Sequence, residues 1–398
     1  LDGTAYSTGG TQTYTAKAGQ NIDITGTSAT FTTTNDNIGF ATAGVDLLND
    51  STTTINTGTV AGTVTFGGAI ETNGGDDDLL VVTSGSGNVT FTGAIGATNE
   101  LGGLSVNASA GAGTITFTST IGATDNTKGI VGTTTVGNAA TAEMTFSSTD
   151  YTFDGATTFT ALSTGDIDMA AAVEFTTIAD NISFVSGDIE LANQANLSID
   201  TGAAGGNITI GGSILGVSVE TVTLDAGTGT TSVGVIGNAA EIGALSIGSS
   251  DNGGITLNGA IVTDGAVTFD GPVTLATGAV SVTTGDNALT FNHTIDGAQA
   301  LTLVSGTAAT AVQGEIGGTT ALSSLTATNT TAVGTIELTN IGGVTGATAI
   351  GNTNTATLTL DGTAYSTGGT QTYTAKAGQN IDITGTSATF TTTNDNIG

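Results

Sequence analysis

Residues 88–113 read NVTFTGAIGATNELGGLSVNASAGAG: three short apolar pieces, Val89–Phe91, Ala94–Ile95 and Leu104–Val106, separated by runs of Gly, Asn and Ala. The alternation in Val89-Thr90-Phe91 is the period-two signature of a strand with one buried and one open face. The Gly and Asn between the pieces permit tight turns and positive φ. Three strands and three turns in about 25 residues predict one triangular coil. Stacking such coils pairs each strand in parallel with its counterpart about 4.8 Å above.

The apolar–Thr–apolar triplet recurs throughout the chain. Val64-Thr65-Phe66, Val89-Thr90-Phe91, Ile115-Thr116-Phe117 and Met144-Thr145-Phe146 begin at positions 64, 89, 115 and 144, a spacing of one solenoid coil. The triplet returns at Ile208–Ile210, Ile255–Leu257, Leu289–Phe291, Leu301–Leu303 and Leu358–Leu360. The expected fold is therefore all-β, a parallel β-helix (β-solenoid) of about 25 residues and three short strands per coil. A lone coil buries too few side chains to offset the entropy of ordering it, so stability has to be cooperative along the axis. Tandem β-sandwich domains are the alternative. They usually bring Pro-bearing linkers and a core Trp, whereas this chain has one Pro and no Trp. Residues 150–200 concentrate Tyr151, Phe153, Phe159, Phe175 and Phe184, which predicts a bulkier core there in preference to a wider coil.

A longer repeat overlies the short one. Residues 1–39 recur letter for letter as residues 360–398. We read residues 1–359 as one long tandem-repeat period forming a continuous solenoid, and 360–398 as the start of the next. A segment of a longer repetitive protein gives this pattern; so does a subunit whose duplicated ends let one copy continue into the next along a polymer.

Composition narrows the function. The chain has 398 residues, with Lys17, Lys128 and Lys376 as its only basic side chains apart from His293, 34 acidic residues and a formal net charge of −31. A nucleic-acid partner requires the opposite sign, and an anionic membrane surface would repel the chain. No apolar run is long enough for a membrane span, and Leu1 opens the segment without a signal-like stretch, so the segment is read as carrying no address of its own. With no Cys there is no disulfide framework and no thiolate nucleophile or ligand. Hydrophobic residues make up 37%, too many for a disordered chain despite the 63 Gly.

The rhythm Gly-x-apolar-Thr-apolar-x-Gly-Ala-Ile, seen at Gly62–Ile70 and Gly87–Ile95, resembles that of the β-strand-repeat surface proteins of bacteria, including filamentous-haemagglutinin-like and autotransporter-like giant adhesins and filaments. The likeness covers nearly the whole chain as rhythm and composition, without a diagnostic motif. It implies a right-handed parallel β-helix, a secreted or cell-surface location, and a part in adhesion, biofilm or sheath structure. An identical 359-residue period departs from the imperfect repeats usual there and suggests a recently duplicated gene.

Catalysis is not expected. Lyase chemistry on acidic sugars wants a base and cations, and hydrolysis wants paired carboxylates. Here His293 is the only His, Arg is missing and the lysines are scattered. Asp166 and Asp168 fall on one strand face and offer a carboxylate pair, although alternate surface Asp residues are commonly just solvated. For metal, Gly74-Gly75-Asp76-Asp77-Asp78-Leu79 resembles half of the Gly/Asp-rich calcium loop of repeat-in-toxin proteins, making Asp76, Asp77 and Asp78 the candidate ligands; it occurs once and has Asp where the second Gly is expected. A polar interstrand loop is the competing reading, and His293 is read as a lone turn residue. No cofactor is required, and calcium is the ion this chemistry selects.

Spread over about sixteen coils at about 4.8 Å, thirty-one charges give about 0.4 per Å, approaching duplex DNA at about one per 1.7 Å. Divalent cations are thus expected between neighbouring copies. The Thr column (Thr65, Thr90, Thr116, Thr145) suits an exposed strand; Asn88-Val89-Thr90 and Asn207-Ile208-Thr209 also fit the glycan-acceptor pattern. The function expected is a structural, non-catalytic component of an extracellular filament or shaft, with copies of itself and divalent cations as partners. The alternative is a surface adhesin that binds glycans or matrix through a lateral face.

Overall fold

The computed structural model describes the whole chain apart from residues 49, 74–77, 124–127, 249–252, 332 and 394. The described residues are all-β, with short strands and no helix. Strands one coil apart pair in parallel, which makes the fold a β-solenoid. By contact, the chain divides into two units, Leu1–Gly212 and Ser213–Gly398.

In the first unit the opening coil consists of Ala5–Ser7, Gln12–Tyr14 and Ile22–Ile24. Thr30–Thr32, Ile38–Phe40 and Val45–Leu47 lie above these in register. Thr52–Asn56, Val64–Phe66 and Ile70–Thr72 make the coil after that. Alternation sets the faces: in Val89–Phe91 the outer two residues are buried and Thr90 is half-buried. The first four triplets fall in one column and pair residue for residue, Thr65 to Thr90 to Thr116 to Thr145. Ile208–Ile210 belongs to a different face, pairing with Ile182–Phe184. The triplet therefore marks a strand and leaves its face unspecified.

Because successive coils are in register, an inward side chain rests on the same kind of side chain. Tyr14, Phe40, Phe66, Phe91, Phe117 and Phe146 form one column, with successive ring centroids 5.0 to 5.3 Å apart and planes within 17° of parallel. The backbone repeat fixes this spacing, and offset stacking adds about 0.5–1.5 kcal/mol per pair beyond burial. Met169 and Leu191 continue the column. The aromatic residues of 150–200 form a bulkier core: Tyr151, Phe153, Phe159, Phe175 and Phe184 are all fully buried. Phe159 and Phe184 stack at 5.0 Å, and Tyr151 and Phe175 at 5.4 Å.

Corners use glycine where the chain must turn against its neighbour. Gly96 and Gly122, each following a buried Ile, have φ of +63° and +83°, and a Cβ there would lie 2.2 and 2.1 Å from the carbonyl oxygens of Gly129 and Lys128. No side chain fits either position. Polar corners are also tied between coils. Buried Asn107 accepts from Ser84 N at 2.9 Å and donates from Nδ2 to Ser84 Oγ at 3.0 Å.

In the second unit Thr221–Asp225, Ala244–Gly248, Val267–Asp270 and Leu289–Phe291 form one face. Ile261–Thr263, Val280–Thr284, Ala300–Ser305 and Ser324–Asn329 form another. The third has Thr230–Val233, Gly254–Leu257, Val273–Leu275 and Ile295–Asp296. The Ile-Gly corner recurs at Gly237 and Gly317, both with φ of +69°. The buried polar tie recurs too, with Asn329 donating from Nδ2 to Ser305 Oγ at 2.8 Å.

Replacing Phe91, in the middle of the ring column, with Ala should lower unfolding free energy by about 3–5 kcal/mol, while the outward change Thr90→Ala should stay within about 0.5 kcal/mol. Urea denaturation of the two variants beside the parent chain measures both.

Candidate functional site

Asp166–Met169 follows the same alternation as the rest of the core, with Ile167 and Met169 buried and Asp166 and Asp168 half-exposed on the outer side. The coil below supplies Glu143, opposite Asp166, and Thr145, opposite Asp168. The coil above supplies Asp188 opposite Asp166 and Glu190 opposite Asp168. Three consecutive rungs thus place five carboxylates on one patch with no Lys or Arg among them. Asp166, Asp168 and Glu190 each offer an oxygen within 4.8 Å of the others. That span suits one hard divalent cation, which takes carboxylate oxygens at about 2.3–2.6 Å.

Burial pushes the Asp168 carboxyl up to about 6, the charges of Glu143, Asp166 and Glu190 push the same way, and a hydrogen bond shared with Glu143 adds to the rise. Asp166 is raised by burial and then by Asp188 and Glu143, and Glu190 by burial and then by Asp166 and Asp188. The patch therefore holds a proton or a cation more readily than separate surface carboxylates do.

Sequence reading placed Asp166 and Asp168 on one face, as found, but Glu143, Asp188 and Glu190 join them only through coil register. Asp76 and Asp77 lie outside the described residues. Asp78 is fully buried, and its Oδ1 accepts from Ser51 N of the coil below at 3.4 Å. His293 has an acidic neighbour, with Nε2 3.8 Å from Asp270 Oδ1, so it is not the lone imidazole its sequence context suggested.

Other acidic side chains tie coil to coil. Glu71 Oε2 accepts from the backbone of Thr98 and Asn99 at 3.0 and 2.8 Å. Asp296 Oδ1 accepts from Thr319 N and Thr320 N, both at 2.8 Å. Lys128 bridges to Glu100 at 2.9 Å. At the first proposed glycan acceptor, Asn88 Oδ1 accepts from Thr114 N of the next coil at 3.1 Å. A groove of about 390 Å³ in the first unit is lined by Asn56, Gly58, Thr83, Gly85 and Gly111 among others, and by no carboxylate. None of the tyrosines or phenylalanines is exposed: Tyr6, Tyr14, Tyr373 and Phe390 are half-buried and the rest are buried.

The raised Asp168 carboxyl has a thermodynamic consequence. The folded chain holds this proton more tightly than the unfolded chain, whose Asp titrates near 3.9. The stabilisation is complete below that value and is lost as pH rises through about 6. Melting temperature should therefore fall between pH 4 and pH 7, and Asp168→Asn should flatten that part of the profile; calorimetry across the range measures it. No protein family, no curated protein and no solved structure matches this chain.

Proposed function

We propose that this chain is a structural element, a segment of the shaft of an extracellular filament or giant repetitive surface protein, and that it carries no catalysis of its own. The observation that carries this reading is the use each coil makes of its two flat sides. Within the first unit, both sides of the interior coils are filled by neighbouring coils in register, as in the ring column from Tyr14 to Phe146. The fold extends by adding coils, and added coils are added length.

The side chains facing outward support the same reading. They are Thr, Asn and carboxylates, many already engaged between coils, as at Glu71 and Asp296. A glycan-binding face of the kind an adhesin uses commonly presents aromatic platforms, and none of the tyrosines or phenylalanines is exposed. With a formal charge of −31, neighbouring copies repel one another unless cations intervene, and the patch at Asp168 is one place where calcium would act. A secreted or cell-surface location fits a cysteine-free chain with only three lysines for trypsin-like proteases to find.

Electron microscopy of the purified protein with and without millimolar calcium tests the proposal. Smooth, unbranched fibres that bundle with calcium and separate on chelation, together with an unresponsive glycan array, are the expected result. At about fourteen coils per period, the axial repeat should be roughly 70 Å. Discrete particles, or saturable binding to a defined glycan, would instead favour a binding module.

A further inference from the structure

We propose that one face of the first unit is a docking surface for a second copy of this chain: the uncharged face that runs from Thr30–Thr32 through Leu79–Thr83 and Thr157–Thr160 to Ile208–Ile210, together with the corner groove beside it. The contact goes beyond the structural role proposed above, because it names the surface through which copies of an acidic chain meet without a cation between them.

Charge is sorted among the faces of the first unit. Asp23, Asp46 and Glu71 stand in one column on one face, and Glu143, Asp166 and Asp188 in a column on a second. The eight strands from Thr30–Thr32 to Ile208–Ile210 contain no Asp, Glu or Lys. Their outward column instead reads Thr54, Val81, Ser105, Thr135, Thr158 and Ser183, paired rung to rung and half-exposed. The corners that follow five of these strands, residues 57–63, 84–88, 107–114, 138–142 and 161–165, contain none either.

The same surface carries exposed apolar side chains. Beyond Leu1, the first unit exposes four large ones among its described residues, and three of them border this face: Val60 at 52%, Leu162 at 41% and Val185 at 51%. Val185 belongs to Ile182–Ser186, whose pairing with Thr157–Thr160 shifts register at a β-bulge. Val60 and Leu162 flank the groove of about 390 Å³: Val60 O accepts from Ser86 N at 3.0 Å, and Leu162 N donates to Thr141 O, beside Ala140, at 2.8 Å. At Gly85, with φ of +57°, a Cβ would lie 2.5 Å from Val60 O, so no side chain fills the groove there. A groove with an apolar residue at each end suits a copy of itself turned about a two-fold axis, the rim of each entering the groove of the other.

Electrostatics select the occupant. A cationic partner would be drawn to the carboxylate columns of the other faces, and a second copy brought against either column would set carboxylate against carboxylate. Against this face it meets none. Depletion of charge distinguishes the centre of a specific contact from ordinary surface, and exposed apolar residues mark the same places. Eight rungs at about 4.8 Å and strands up to about 17 Å long give on the order of 500 Å² per copy before the corner is added, the low end for a specific contact. The pair should therefore form at high protein concentration. Calcium is left to act on the acidic faces, between one pair and the next.

Salt separates this contact from an ionic one. The chain's formal charge of −31 opposes the approach of a second copy from any side. Monovalent salt screens that long-range repulsion and leaves the uncharged face as it is. Pairing should thus strengthen with sodium chloride while a chelator is present, whereas a contact held by surface ion pairs weakens.

Sedimentation equilibrium of the full-length chain in EDTA, at low and at physiological sodium chloride, tests the contact. A reversible monomer–dimer equilibrium that tightens with salt is the expected result. Carboxylates introduced into the column by S105D/T158D should weaken pairing at least tenfold, while S105N/T158N retains it, as does T90D on the face of the ring column. L162S should weaken it from the rim, independently of the sheet, and melting curves establish that each variant is folded. A monomer at every concentration up to about 1 mM, the weak end of binding, would overturn the proposal, as would a dimer that T90D weakens as much as S105D/T158D does. A monomer that instead binds a neutral glycan, and loses it in S105D/T158D, would assign the face to carbohydrate and overturn pairing. Calcium-dependent fibres from a chain that never pairs in EDTA would leave the shaft standing and remove this contact; pairing without fibres would do the reverse, so the two proposals fail separately.

Discussion

Register between successive coils is the constraint from which the rest of the structure follows. A parallel ladder places each residue over the one about a coil earlier, so whatever the sequence puts inward is stacked on its own kind. Phenylalanine over phenylalanine gives the ring column from Phe40 to Phe146. The same rule outward gives threonine over threonine at Thr65, Thr90, Thr116 and Thr145, and carboxylate over carboxylate at Asp166 and Asp188. Favourable stacking inside and repulsion outside are one geometry read on two faces. Burial first and the repulsion after it raise the Asp168 carboxyl, and the repulsion is tolerated because the apolar rung behind it, Met144, Ile167 and Ile189, is buried and in register.

Much of the fold is legible in the sequence because its two periods are short and simple. Alternation at Val89-Thr90-Phe91 specifies a strand and its buried side, and the spacing of the first four triplets specifies the coil. The third side of the coil is less legible. At Ile95 and Ile121 it contracts to single bridging residues beside a glycine corner, with no alternation to read. The face to which a triplet belongs is likewise hidden, since Ile208–Ile210 and Val89–Phe91 look alike and lie on different faces.

The acidic patch shows the same boundary. Asp166 and Asp168 are visible as a pair because alternation is local. Glu143, Asp188 and Glu190 reach them only through pairings between coils, and those coils are shorter than the ones that define the triplet spacing. Acidic residues elsewhere have a structural use that composition conceals: Glu71, Asp286 and Asp296 accept backbone N–H groups from the coil above. Such groups lack ladder partners at the corners, and a side-chain oxygen satisfies them. The chain's acidity is in part corner chemistry and in part an outward field that cations would screen.

Distance between spin labels along one column tests the coil-on-coil register most directly. Thr13, Gly39, Thr65, Thr90, Thr116 and Thr145 occupy successive rungs of one face. Labels on cysteines introduced at 13 and 116, and at 13 and 145, should lie about 19 and 24 Å apart between backbones, lengthening by about 4.8 Å for the one added coil. Separations that do not lengthen with rung number, or that place residue 145 nearer to residue 13 than residue 116 is, would contradict the stacked-coil account.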